Sequence, residues 1–407
     1  MTVSQPELYT LPISARKEGR SWRRTLAGAG FAILFNLACL TRYLVQLHAT
    51  QILVWLCFGF PWSRTLYKDG IRYTKGAFGC LLILMCQWFA PTKLVISFET
   101  EGKGRFTTEQ IEKIVVKDEN GKVVYADWWY AWCLTYFIGE HGVHNSVYIT
   151  LKKSLQWIPI LGPAMRFFNF IFLARSWVSD RVELSSHLSA LGKAAQQEDD
   201  PMVFFLYPEG TLVSKDTRPI SQKFADKMGI PNMTNSLLPR STGLHFSLRS
   251  LAPRIPGLKL IDITTVYPGV PPMGYGQDYY TLRSMFMSGV PPPAVHMHFR
   301  MFDVATEVPI GDLSKTNPAI ISDSNSPVEV EIPESEKAVF DVWLRELWRE
   351  KDESITGYFE KRSLSETSFE FPLKLRTKRE IMDALGIFIP AAFEYVWSGV
   401  RKQNPGS

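Results

Sequence analysis

Residues 201–211 read PMVFFLYPEGT. From Pro201 to Tyr207 the run is apolar without a break, the pattern of a strand covered on both faces rather than one that alternates towards water. It stops at the turn Tyr207-Pro208-Glu209-Gly210-Thr211. Open α/β sheets place their ligands beyond the carboxyl ends of the strands. Gly210 permits close backbone approach, Thr211 supplies a hydroxyl, and Lys215, Arg218, Lys223 and Lys227 follow within reach of an anion. Taken alone, Pro-Glu-Gly is an ordinary turn. Working outward, further β-rich runs occur at Lys93–Phe98, Leu260–Tyr267 and Ala294–Phe302, and Ser185–Gln196 reads as helix. The alternation predicts an α/β body around one mostly buried central sheet.

Upstream, Ile114–Val116 and Val123–Tyr125 flank Asp118-Glu-Asn-Gly-Lys122, a hairpin signal with Asn-Gly at its centre. Asp127 then stands as a plausible N-cap for a helix, DWWYAWCLTYF. Leu155–Leu173 is apolar and aromatic with Pro and Gly punctuation, suited to a membrane-facing segment followed by a buried strand. Arg175 follows it, a residue whose planar fork matches a phosphate bidentately. Leu238-Pro239-Arg240-Ser241-Thr242-Gly243 offers a second guanidinium and two hydroxyls. For each arginine a surface ion pair is the competing reading.

The 407 residues are 46% hydrophobic and 21% charged, too apolar for disorder and too charged for a multi-span transporter. A net charge of +5 falls short of the surplus expected of a nucleic-acid binder. Arg16, Lys17, Arg20, Arg23 and Arg24 precede an apolar run from Thr25 to Thr41; Arg42 interrupts, and a second run spans Tyr43 to Trp62. These predict two short spans or a re-entrant hairpin, with the basic N-terminus on the cytosolic face. A third run, Gly76–Ala90, is too short for a normal span and reads as a half-inserted helix or a buried core helix. The expected organisation is a basic tail over residues 1–24, membrane anchor helices over 25–91, a body over 92–302, an exposed linker over 303–333, a helical extension over 334–380 and a membrane-associated helix over 381–400. That last segment follows Lys374, Arg376, Lys378 and Arg379 and suits an interfacial position. Five cysteines lie in apolar stretches without a CxxC pair, so neither a zinc site nor a disulfide framework is expected. His296, His298 and Arg300 share one face of a strand, but no third metal ligand accompanies them, and a structural role is expected. No dinucleotide loop, Walker A sequence, HExxH or GxSxG is present.

In this order, DWWYAW, the strand ending in Arg175, YPEGT and LPRSTG, framed by N-terminal apolar segments, resemble the glycerolipid acyltransferases. WIPILG and the long aromatic loop resemble most the branch of lysophosphatidylinositol and lysocardiolipin acyltransferases. The resemblance implies a membrane-bound enzyme of the endoplasmic reticulum that transfers an acyl chain from acyl-CoA to the free hydroxyl of a lysophospholipid. It implies acyl-CoA, a lysophospholipid and membrane lipids as partners, with acyl-CoA as co-substrate, no cofactor, no metal and no nucleic acid. By the same resemblance, Asp127 belongs to an HxxxxD catalytic pair, Pro208, Glu209, Gly210 and Thr211 with Arg175 hold the glycerol phosphate, and Pro239 and Arg240 form the fourth motif.

One departure is sharp. The family's histidine should stand five positions before Asp127, where this chain has Lys122. A lysine of ordinary pKa near ~10.4 is a poor base at neutral pH. His48 belongs to the apolar N-terminal segment, while His141 and His144 lie beyond the helix opened by Asp127, so none has the family spacing. The family's apolar strand before the histidine is missing too: the hairpin runs straight into ADWW. Two alternatives follow, an internal segment lost near Val123 or a catalytically silent lipid-binding protein of the same fold. Leu212 also stands where many relatives have arginine.

Overall fold

The computed structural model describes residues 7–16, 22–41, 61–111, 128–138, 142–174, 176–198, 201–313 and 332–385. The helices used below are α1 (Trp22–Thr41), α2 (Pro61–Phe89), α3 (Trp128–Phe137), α4 (Leu161–Phe167), α5 (Trp177–Glu198), α6 (Arg218–Met228), α7 (Ser241–Leu251), α8 (Glu334–Lys361) and α9 (Arg379–Leu385). The strands are β1 (Lys93–Phe98), β2 (Val147–Lys152), β3 (Ile171–Leu173), β4 (Val203–Phe205), β5 (Lys259–Val266), β6 (Ala294–Asp303) and β7 (Phe369–Pro372). The α/β expectation holds, with the described strands divided between two sheets. One is four-stranded in the order β5-β6-β1-β7, and the other is three-stranded in the order β3-β2-β4.

The smaller sheet is parallel throughout, with Thr150 opposite Ile171 and Val147 opposite Val203. In the larger sheet β1 runs parallel to β6, while β5 and β7 are antiparallel to their neighbours. Val295, Met297 and Phe299 of β6 turn into the core that also holds Leu94, Ile96 and Phe98 of β1. The opposite side of β6 is covered by α8: the Arg300 guanidinium donates to the Leu347 carbonyl and to Glu350, and the His296 ring meets Tyr358 at 5.0 Å. A strand covered on both sides can carry a charge only if the charge is paired. Asp262 of β5 supplies the pair, accepting from Arg300 Nη2 at 2.9 Å and from Lys351 Nζ. Burial alone would push the Asp262 carboxyl up, but Lys351 and Arg300 outweigh it and hold the group below the usual carboxylate range. His298 is likewise structural, within 3.0 Å of Ser97 Oγ through Nδ1 and 3.7 Å from Glu99. No metal-competent group of His, Cys, Asp or Glu occurs among the described residues.

Of the two readings of Gly76–Ala90, the structure takes the buried one. Leu81, Leu82, Ile83, Leu84, Met85 and Cys86 of α2 are fully buried, and α3 packs against them through the Trp129 indole, which donates to Cys86 Sγ. Among the described residues only α1 is long and apolar enough to cross a membrane. Its Gly28 lies against the backbone of Met287, where a Cβ would come within 2.8 Å of a carbonyl oxygen, and Phe31 stacks on Phe286. Leu26, Ile33 and Leu37 stay exposed on α1. The second apolar run lies outside the described residues except for the start of α2.

Two segments differ from expectation. The region read as an exposed linker packs at both ends, since Val304, Val308, Ile310 and Ile332 join the core around α5, α7 and α8. Residues 314–331 lie outside the described residues. The extension after residue 334 is more than helical, because β7 adds an edge strand to β1 with Phe369 opposite Ile96. Pro372 is tolerated there because an edge strand has one unpaired side. Where the sequence suggests a membrane-associated C-terminal helix, Arg379–Leu385 is helical and docks on the body, Tyr73 donating to Asp383 at 2.7 Å; residues beyond 385 lie outside the described set.

Candidate active site

Strand β4 delivers the PEGT turn. The Gly210 amide donates to the Tyr207 carbonyl at 2.9 Å, closing a tight turn, and Gly210 has a φ of +68° that favours glycine. The Arg240 amide donates to the Pro208 carbonyl at 2.8 Å, so the two motifs, distant in sequence, form one corner. A Cβ at Gly210 would sit 3.8 Å from Arg240 Cδ, which places the arginine stem alongside the turn. Pro239 is buried and Arg240 exposed. The Arg240 guanidinium has no ion-pair partner among the described residues.

Glu209 is also tied to the body. Its Oε1 accepts a hydrogen bond from the Trp348 indole at 3.1 Å, tying the turn to α8. A carboxylate repels a phosphate. The groups of this corner suited to an anion are therefore the Arg240 guanidinium, the Thr211 hydroxyl and the open backbone at Gly210.

The register of the parallel sheet puts a second turn nearby. β3 ends level with Lys152 of β2, while β4 ends level with Ile149, three residues earlier. β3 and β4 flank β2 and run parallel to it, so the turns that follow them leave the same end of the sheet, two strand spacings or ~10 Å apart laterally. Arg175 lies outside the described residues, but its neighbours are held: Asp180 accepts from the amides of Ala174 at 2.7 Å and Ser176 at 2.9 Å. Asp180 is buried, and sequence reading had not singled it out; its signal was an acidic residue in the first turn of a helix directly after a strand.

Helix α8 forms the back wall. Asp341 accepts from Ser241 Oγ at 2.8 Å, Trp348 donates to Glu209, and Asp352 accepts from the amides of Thr234, Asn235 and Ser236 and from Ser236 Oγ, all at 2.8–2.9 Å. Residues 341, 348 and 352 are seven and four apart, so they share one helix face. That face fixes the chain from Thr234 through Ser241, which contains Pro239 and Arg240.

Asp127 and Lys122 lie outside the described residues. The helix that follows Asp127 is α3, and its first turn is placed by Trp129 against Phe286 at 5.1 Å and by Tyr130, which donates to Met285 sulfur. Each described histidine is engaged by local partners. His144 packs on Tyr136, near the far end of α3 from Asp127, with Nε2 3.8 Å from Cys80 Sγ; burial and Arg376 pull its pKa down to about 4. His245 meets the Ile310 carbonyl at 3.0 Å and His187 the Glu183 carbonyl.

The sequence profile of the Acyltransferase family matches residues 123–268. The chain is 32% identical over 341 residues to the 2-acyl-1-lysophosphatidylinositol acyltransferase of Saccharomyces cerevisiae, covering 73% of this chain and 78% of that one. It is 31% identical over 335 residues to an uncharacterized acyltransferase of Schizosaccharomyces pombe, covering 80% and 83%. The crystal structure of the 1-acyl-sn-glycerophosphate acyltransferase PlsC from Thermotoga maritima matches 82% of this chain and 98% of that one, with a TM-score of 0.39 and 12% identity. With relatives above 30% identity spanning most of both sequences, the chain belongs to the glycerolipid acyltransferase family.

Proposed function

We propose that this chain is built to transfer an acyl group from acyl-CoA to the free hydroxyl of a lysophospholipid at the endoplasmic reticulum membrane. The observation that carries the reading is the interlocked corner, Arg240 N–H on the Pro208 carbonyl, with the Arg240 side chain, without an ion-pair partner among the described residues, beside Gly210. In the reaction the lysolipid hydroxyl oxygen attacks the thioester carbonyl, the carbon–sulfur bond breaks, and a general base passes the hydroxyl proton to the departing thiolate. Arg240, Thr211 and Arg175 hold the headgroup phosphate, and Asp127 orients the base. One relative named as a 2-acyl-1-lysophosphatidylinositol acyltransferase supports that headgroup class.

The base is what this chain lacks. The family match begins at Val123, immediately after Lys122, and the strand and histidine expected upstream are absent from the sequence. That coincidence supports a lost internal segment at this junction. It equally fits the second reading, a silent lipid-binding protein. Both readings share the headgroup corner, and binding tests it. The full chain in detergent should bind lysophosphatidylinositol, and Arg240→Ala should weaken binding by about 10- to 100-fold, the worth of charge-assisted hydrogen bonds to a phosphate. Equal binding by the parent and Arg240→Ala would remove this assignment of the corner.

A further inference from the structure

Directly after the PEGT turn the chain enters α6, whose two sides are unlike. Ser221 and Ala225 are buried against the body. Ile220, Phe224 and Met228, at successive spacings of four, are 59%, 49% and 49% exposed, and Leu212, just ahead of the helix, is 69% exposed. On a helix these three form a single stripe. Lys223 and Lys227, each three residues beyond a stripe member, border it and are exposed. Lys215 is exposed ahead of the helix, while Asp226 lies away from the stripe and accepts from Gln222 at 2.8 Å. An apolar stripe edged by lysines on a short helix matches a bilayer surface, where apolar side chains enter the acyl boundary and ammonium groups meet anionic headgroups.

Helix α6 is also rigidly joined to the candidate site. The Thr217 hydroxyl donates to the Leu212 carbonyl at 2.7 Å, next to Thr211, and the Leu238 amide donates to Ser221 Oγ at 3.1 Å, two residues before Arg240. Gly229, with φ +63°, ends the helix, its amide and that of Ile230 bonding back to Asp226 and Ala225. A displacement of α6 therefore carries both motifs of the corner with it.

We propose that α6 lies in the membrane–water interface with Ile220, Phe224, Met228 and Leu212 among the acyl chains, and that this second contact, separate from the N-terminal helix, presents the headgroup corner to the bilayer. The inference rests on the reading of that corner as a lipid site. Its chemistry asks for a phospholipid surface bearing anionic headgroups.

The test uses the full chain reconstituted into bilayers of phosphatidylcholine with phosphatidylglycerol. Single cysteines replace Ile220, Phe224, Gln222 or Asp226 and carry an environment-sensitive NBD label, the parent chain giving the background from native thiols. Labels at 220 and 224 should shift to the blue and lose about half or more of their emission to doxyl-lipid quenchers placed near the headgroup boundary, while labels at 222 and 226 should do neither. Lys223→Glu with Lys227→Glu should reduce quenching at 224 in the anionic bilayer and leave it unchanged in phosphatidylcholine alone. A label at 224 as wet as that at 226 would overturn the proposal, as would one shielded yet unquenched by lipid, which would mean a protein covers the stripe. Quenched labels in a chain that binds no lysophosphatidylinositol would leave the docking face standing and remove the functional reading. Wet labels in a chain that binds it would do the reverse.

Discussion

Replacing Asp352 by Ala tests whether α8 is the wall that shapes the site. The carboxylate is buried and receives four hydrogen bonds from Thr234, Asn235 and Ser236. Thr234 is exposed and Asn235 half-buried, so water can satisfy those two amides after the change. Ser236 is buried, and both its amide and its hydroxyl lose their acceptor. A buried donor left unpaired costs about 1–3 kcal/mol, so two of them give about 3–5 kcal/mol once partial relaxation is allowed. An unfolding entropy of ~2.1 cal/mol/K per residue over the roughly 315 described residues converts this to a Tm lower by about 5–8 °C. Asp352→Asn keeps one acceptor oxygen and should lose about half as much. The assay is thermal unfolding of the full chain in one detergent, paired with lysophosphatidylinositol binding, which should weaken because the freed segment carries Pro239 and Arg240. An Asp352→Ala chain melting within about 1 °C of the parent would refute the reasoning, since no such loss of buried acceptors is that cheap.

Other outcomes follow from the same contacts. Glu209→Gln retains an oxygen for the Trp348 indole and should melt with the parent, whereas Glu209→Ala strands that buried N–H and should lose about 1–3 kcal/mol; indistinguishable melts of the two variants would mean the tie to α8 carries no weight. Stability should fall on acidification in two stages. His144, held neutral down to about 4, makes the unfolded chain bind a proton first, so stability is full above about 6.5 and lost as pH drops from there towards 4. Asp262, held below the usual carboxylate range, contributes stability above its ordinary value near ~3.9 that is lost further down as the folded group protonates. Urea melts at stepped pH check this, and His144→Gln should shrink only the upper stage, to which His245, His296 and His298, also lowered by burial, still contribute. Asp262→Asn, which leaves Lys351 buried without its carboxylate and Arg300 with Glu350 alone, should cost about 3–5 kcal/mol at neutral pH.

Much of the body was legible because its strands are apolar runs bounded by turns. Pro201–Tyr207 and Ala294–Phe302 announce buried strands, and YPEGT announces the turn that follows. Strand β2 was not read: VYITLK sits between a polar turn and two lysines, so it shows neither a long apolar run nor a clear turn signature. Strand β7 is four residues ending in Pro372, and a short edge strand is fixed by its neighbour rather than by its own pattern. The candidate site was legible as separate motifs but not as a corner, because the Arg240-to-Pro208 contact joins backbone atoms that no side-chain pattern reports. Asp180, Trp348 and Asp352 escaped for a related reason: a carboxylate or indole on a helix looks like ordinary surface or core until the chain it holds comes into view. The charges of Asp262, Arg300 and Lys351 are spread over 90 residues and meet only through tertiary packing.

We propose that this chain is an acyltransferase body whose general base belonged to a segment lost between Lys122 and Val123, rather than a silent lipid-binding protein. The direct measurement is acyl transfer from acyl-CoA to lysophosphatidylinositol by membranes containing either this chain or a version with an apolar strand and an Asn-His pair inserted there, placing the histidine five positions before Asp127. This chain should show no turnover above membranes without it, and the restored chain should exceed it by about 100- to 10,000-fold, the usual contribution of a positioned base. Turnover by this chain equal to that of the restored one, or no activity in the restored chain while it still binds lysophosphatidylinositol, would contradict the claim.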